Sequence, residues 1–138
     1  MFQILYTSEA RVSFSPGELT ELLAAARRRN ERVGVTGMLL FCRGHFLQML
    51  EGDARDVIAT FERIEKDGRH AHVTTLYRGH SPVGRAFAEW SMGFHRIEHP
   101  EDAPPGFVRI NDRLDLAQFD HVAALDFLTA CQRRPALS

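Results

Sequence analysis

Two apolar runs, Val33 to Cys42 and His45 to Glu51, are separated only by Arg43-Gly44. A two-residue link between β-rich runs makes a tight hairpin, so two antiparallel neighbours occupy the middle of the chain and the rest must pack around them. Arg-Gly is a weaker turn signal than Asn-Gly, and the runs themselves carry the assignment. Alternation along the second run puts Phe46, Gln48 and Leu50 on one face. An amide therefore stands on an otherwise apolar stripe.

Upstream, Phe2 to Thr7 is rich in β-formers, and Phe2, Ile4 and Tyr6 share a face. Ser15-Pro16-Gly17-Glu18 is a helix start, with Ser15 as N-cap, Pro16 in the first helical position and Glu18 completing a capping box. Leu19, Leu22, Leu23 and Ala26 follow helical spacing, and the same phase brings Asn30 almost back to the Leu19 direction. An amide buried without partners costs about 1–3 kcal/mol, which makes Asn30 a second polar anomaly on an apolar face. Beyond the hairpin, Asp53 caps a helix with Asp56 at its third position. Val57, Phe61 and Ile64 form its apolar face, and Gly68 stops it. A strand is expected from about Val73 to Tyr77, then a Pro/Gly loop over residues 81–86. A last strand is expected from Phe87 to Phe94, with Ala88, Trp90, Met92 and Phe94 on one side.

The order β-α-β-β-α-β-β defines an α+β, ferredoxin-like chain with one extra strand: a five-stranded mixed sheet with both helices on one face. These elements fill residues 1–96. Residues 97–138 are expected to form a helical extension, serving as lid, dimer contact or partner contact. In it Glu101 to Gly106 reads as a linker and Leu116 to Gln132 as a helix with Leu116, Phe119, Ala123, Phe127 and Ala130 in register. A chain of 138 residues is long enough for one core without disulfides or metal.

The formal net charge of −1 argues against a nucleic-acid partner, which calls for a basic excess on one face. Of the 17 basic residues only Lys66 is lysine. The arginine fork suits phosphate and carboxylate, although a GC-rich genome accounts for the same bias. No run approaches the ~20 apolar residues of a membrane span and the N-terminus lacks a signal-peptide pattern, so a cytoplasmic protein without membrane contact is expected. Cys42 and Cys131 belong to no metal or disulfide pattern.

Neither a nucleophile beside a base, nor paired carboxylates, nor a phosphate-cradling Gly-rich loop is evident, so an enzyme is not expected. His70-x-His72 could place two imidazoles on one side of a strand, a weak metal signal without a third ligand. Three inward polar residues remain: Tyr6, Asn30 and Gln48. Each has an ordinary explanation, with Asn30 ending a helix in a left-handed turn, Gln48 satisfying a backbone group, and Tyr6 a core aromatic with its hydroxyl at the rim. Taken together under a helix-covered face, they match a polar heteroaromatic ring with alternating C=O and N–H edges, because amides donate and accept at once.

Five blocks of residues carry a family resemblance. They are Leu5-Tyr6-Thr7-Ser8; Arg28-Arg29-Asn30 followed by Gly34-Val35-Thr36-Gly37-Met38-Leu39; Phe46-Leu47-Gln48-Met49-Leu50-Glu51-Gly52; Arg63-Ile64-Glu65-Lys66-Asp67 with Arg69-His70; and Arg85-x-Phe87 leading to Trp90-Ser91-Met92. Over residues 2 to about 95 the sequence resembles a BLUF domain, the flavin-binding blue-light sensor module. The resemblance implies a flavin, FAD or else FMN, held between the two helices with Leu22 and Ile64 against its faces. It implies Asn30 at the pyrimidine edge, Arg63 and Asp67 at the opposite polar edge, and Arg69 and His70 at the outer side and the ribityl-phosphate chain.

By the family's mechanism, Tyr6 gives an electron and a proton to the excited flavin and Gln48 relays the proton. The amide then presents a donor to the flavin carbonyl and shifts absorption to the red. Trp90 and Met92 are implied to pass the change outward. Arg29 departs from the family pattern, where the residue before Asn30 is often polar and uncharged. The residues after 95 are too few for an output enzyme, so the implied partner is a separate effector protein, with homodimer formation also expected. Two other readings stand beside this one. An acylphosphatase-like hydrolase needs a phosphate loop after the first strand, and Ser8 to Pro16 lacks glycines for it; an RNA-binding sheet needs a basic face.

Overall fold

The computed structural model describes residues 1–42, 44–81, 84–88, 92–97, 125, 128 and 129. The elements are β1 (Phe2–Ala10), α1 (Pro16–Val33), β2 (Thr36–Cys42), β3 (His45–Gly52), α2 (Ala54–Lys66), β4 (His70–His80) and β5 (Gly93–Ile97). The strands form one sheet in the order β4-β1-β3-β2-β5, antiparallel except for the parallel β2–β5 pair. This is the expected five-stranded mixed, ferredoxin-like sheet.

Helix α1 starts as its sequence dictates: the Glu18 amide donates to Ser15 Oγ and the Ser15 amide to Glu18 Oε1, both at 3.1 Å. It continues past Asn30 to Val33, where Gly34 adopts the left-handed φ of 69° that a side chain disfavours. The amides of Gly34 and Val35 both close on the Asn30 carbonyl. Residues 33–35, expected to open the hairpin, therefore finish the helix instead. Asp53 caps α2 without a side-chain hydrogen bond, and the helix ends at Lys66 with Asp67 extended, one residue before the expected glycine stop.

The sheet is covered on both faces. On one, Ile4, Tyr6, Phe46 and Leu50 pack with Leu19 and Leu23 of α1 and with Val57 and Phe61 of α2. On the other, Leu5, Leu40, Leu47 and Met49 pack with Phe87 and Leu128. Burial on both sides explains why the hairpin strands read as continuous apolar runs. Leu125 also packs on this second face, and Thr129 donates to its carbonyl at 2.8 Å, one helical turn back. Neither Leu125 nor Leu128 belongs to the stripe expected for this helix. That stripe and the linker of residues 101–106 lie outside the described residues.

Two strands depart from expectation. β4 runs the full His70–His80, pairing with β1 from Phe2↔His80 to Ala10↔His70, with register shifts between Leu5 and Tyr6 and between Thr7 and Glu9. His72 lies in the second shift with φ 51°. Such bulges break the two-residue period that marks a strand in sequence. The last strand starts at Gly93 rather than Phe87, because Phe87 is buried in the core away from the helices and Met92 in the core beneath them. These two residues thus lie on opposite faces of the sheet. Trp90 lies outside the described residues.

Candidate functional site

A cavity of about 190 Å³ lies between α1, α2 and the sheet. Tyr6, Leu22, Asn30, Gln48, Arg63, Ile64, Asp67, Arg69 and His70, the nine residues expected to hold a cofactor, all line it. Its wall also includes Leu23, Ala26, Leu39, Phe46, Leu50 and Thr60, and Arg29 at the exposed end. Leu22 on α1 and Ile64 on α2 are each only half buried, which leaves apolar surface on two sides of the opening.

The β1–β3 register sets Tyr6 directly opposite Gln48. Cross-strand partners stand about 5 Å apart at Cβ, so a phenol and an amide on the same face can meet. The Tyr6 hydroxyl donates to Gln48 Oε1, and Gln48 Nε2 in turn donates to Met92 Sδ at 3.2 Å. All three side chains are buried. The Tyr6 ring rests against Phe61, with centroids 5.1 Å apart. Burial, reinforced by the Asp67 carboxylate, pushes the phenol far above its ordinary pKa, so Tyr6 keeps its proton. Sequence alternation had placed Tyr6 and Gln48 on apolar faces; their pairing, and the part Met92 takes in it, come from the register of three strands.

At the polar end, Arg69 grips Asp67 through Nε at 3.0 Å and Nη2 at 2.5 Å, and these hydrogen bonds hold the carboxyl down at about 2. Asp67 is paired with Arg69 and sits just beyond the end of α2, whereas Arg63 lies within the helix. Partial burial, then the charges of Arg63, Arg69 and Arg28, lower the Arg29 guanidinium, which marks this mouth as positive. Arg29 precedes the inward Asn30 by one position, and at the end of the helix that is enough to bring it to the rim.

Ser8, two residues after Tyr6 on the same face, meets His70 Nδ1 through Oγ at 2.9 Å. Alternation alone could have singled out this buried serine. The two imidazoles of His70-x-His72 part company: His70 turns to Ser8 and Phe46, while His72 is exposed and 3.6 Å from Glu9.

Burial, with help from Arg69 and against Asp67, holds His70 below its ordinary value. Between that lowered value and the unfolded value near 6.5, the unfolded chain binds a proton that the folded chain refuses, so acid destabilises the fold in that window. Asp67 has the same sign but a lower range: its contribution is present above about pH 4 and lost as pH falls towards about 2. The melting temperature is therefore expected to drop between about pH 7.5 and about pH 5.5, and His70→Gln to flatten that slope. Thermal unfolding of both proteins across the range is the check, and equal slopes would remove His70 as the cause.

A cavity with buried amides on its wall and apolar side chains at its opening fits a flat ring with hydrogen-bonding edges. The family profile described as sensors of blue-light using FAD matches residues 1–93. The chain belongs to this BLUF family. Among curated relatives, it is 34% identical over 104 residues to the photoactivated adenylate cyclase subunit beta of Euglena longa, a match covering 74% of this chain and 12% of that protein. It is 34% identical over 82 residues to the blue light- and temperature-regulated antirepressor BluF of Escherichia coli (strain K12), covering 59% of this chain and 20% of that protein. The match thus spans only a small part of each of these relatives. The structure of the BLUF protein BlrB in its dark state superimposes with a TM-score of 0.74 at 27% identity, over 94% of this chain and 95% of that one. Among the described residues, no helix is long and apolar enough to cross a membrane.

Proposed function

We propose that the nine lining residues hold a flavin, that Tyr6 and Gln48 are its photoactive partners, and that the change is read by a separate effector protein, this chain acting as sensor and not as enzyme. The observation that carries this reading is the buried relay in which Tyr6 donates to Gln48 and Gln48 to Met92, on the wall of a cavity fit for a flat ring. A bound flavin supplies absorption of blue light and an excited state that accepts an electron. The residues of this chain hold and direct one proton.

Tyr6 keeps that proton on its hydroxyl, aimed at Gln48 Oε1. Gln48 has one acceptor and one donor end, so turning or tautomerising its amide exchanges which end the cavity meets. The exchange also ends the bond from Nε2 to Met92, which gives the switch an exit towards β5. Asn30 orients the ring's amide-like edge, and Leu22 and Ile64 exclude water from its faces. Arg29 and Arg63 offer guanidinium groups to phosphate at the mouth, which favours FAD or FMN over the uncharged vitamin. FAD is the cofactor named for the family.

The test is an absorption spectrum of the purified protein before and after blue light, followed in the dark. A flavin spectrum that moves reversibly to the red is expected. A colourless protein that takes up neither FAD nor FMN would overturn the reading.

A further inference from the structure

Glu51 is fully buried, three residues beyond Gln48 on β3 and therefore on the opposite face of the sheet. A carboxylate taken out of water is costly unless donors meet it. Here three do. The Phe87 amide donates to Oε1 at 2.6 Å, the Ala86 amide to Oε2 at 2.8 Å, and Thr36 Oγ1 to Oε1 at 3.0 Å. Arg85 closes the group from outside, donating through Nη1 to Thr36 Oγ1 at 2.8 Å and to the Glu51 carbonyl at 3.2 Å. Two of the three donors to the carboxylate are backbone amides of one short segment, so Glu51 fastens that segment to the end of β3.

The far end of the same segment is fastened too. Arg27, on α1, donates through Nε to the carbonyl of Met92 at 2.8 Å. Met92 is the residue whose sulfur accepts from Gln48. Phe87 and Met92, each beside one of the two attachments, lie on opposite faces of the sheet. Its backbone is thus held at 86–87 and at 92 by groups on elements that flank the cavity.

We infer that Glu51 and Arg27 are positioning residues of the photocycle, which hold the backbone on either side of residues 88–91 so that the Met92 sulfur meets the Gln48 amide. This rests on the proposed photoreceptor function. In the dark arrangement Gln48 Nε2 has Met92 as its acceptor; without the two attachments Met92 is no longer delivered to it. The arrangement regained in the dark is then destabilised relative to the lit one, and recovery slows.

The test uses the full chain loaded with flavin. Glu51→Gln keeps the shape but leaves one oxygen for three donors and sets an N–H against a backbone amide. Arg27→Met keeps the aliphatic stem and removes the donor. Both variants are expected to bind flavin and to show the full red shift, and to recover about tenfold more slowly, the scale of one hydrogen bond to a charged group. In a Met92→Ala background neither substitution should alter recovery by more than about twofold, because both act through Met92. In addition, amide hydrogen exchange at Phe87 should speed up in Glu51→Gln even without flavin.

Recovery within about twofold of the unsubstituted protein in both variants, or an undiminished effect without Met92, would overturn the inference. So would a variant that only melts earlier, since a merely structural role moves stability and not the coupling. If Glu51→Gln does not fold, Arg27→Met decides alone. If the unsubstituted protein shows no red shift, the photoreceptor function fails, and exchange at Phe87 still decides whether Glu51 fastens the segment.

Discussion

Replacing Tyr6 by Phe leaves a protein that takes up flavin and no longer moves its absorption to the red under blue light. The substitution removes one oxygen from a fully buried ring and keeps the ring's contact with Phe61. The cost to folding is that of a lost hydrogen bond and an acceptor on Gln48 left to find another donor, about 1–3 kcal/mol, which a domain of ordinary stability survives. The cost to the proposed switch is total. The hydroxyl is the proton donor aimed at Gln48, and burial keeps that proton in place at any working pH. Gln48→Ala is expected to abolish the same signal from the other side, by removing the group whose donor and acceptor ends must exchange. The light-minus-dark difference spectrum is the check, with flavin content measured in parallel. A full-sized red shift in Tyr6→Phe would mean that the proton has another source, and the part assigned to Tyr6 would be lost.

What the sequence disclosed about this site was whatever depends on local phase. Helical phase turned Asn30 inward beside Leu19 and Leu23, and strand alternation turned Tyr6 and Gln48 to the face on which the helices pack. The capping box was legible because both of its hydrogen bonds lie within four residues. The contacts that join distant segments were not. That Tyr6 stands opposite Gln48 is a matter of register between β1 and β3, and that Met92 reaches Gln48 depends on the pairing of β2 with β5, which begins one residue after Met92. β4 reaches three residues beyond the expected strand at each end, and those ends, His70-Ala71-His72 and Arg78-Gly79-His80, carry no apolar alternation by which a strand is read. Glu51 went unremarked at the end of an apolar run, although a carboxylate there, facing the core opposite Gln48, already asks what donors it meets.

Gly37→Ala is expected to cost the fold about 3 kcal/mol or more, a large share of the ~5–15 kcal/mol that holds such a domain together. The reason is space. A Cβ on Gly37 would lie 1.9 Å from the Met49 carbonyl oxygen and 3.0 Å from its carbon. Both belong to the backbone of β3, where no side-chain rotation can relieve the clash, so β2 and β3 would have to part at the centre of the sheet. The third neighbour is the Met92 methyl at 3.3 Å. The bare glycine thus makes the floor on which Met92 lies, and a Gly37→Ala protein that still folds should hold Met92 away from Gln48. Gly34 provides the contrast: nothing lies within 4 Å of an added Cβ, but its φ is +69°. Gly34→Ala should therefore cost only the ~1 kcal/mol of a left-handed alanine. Urea unfolding of the two variants separates close approach from backbone conformation, and equal losses would show that the strand contact at Gly37 relaxes more readily than its geometry implies.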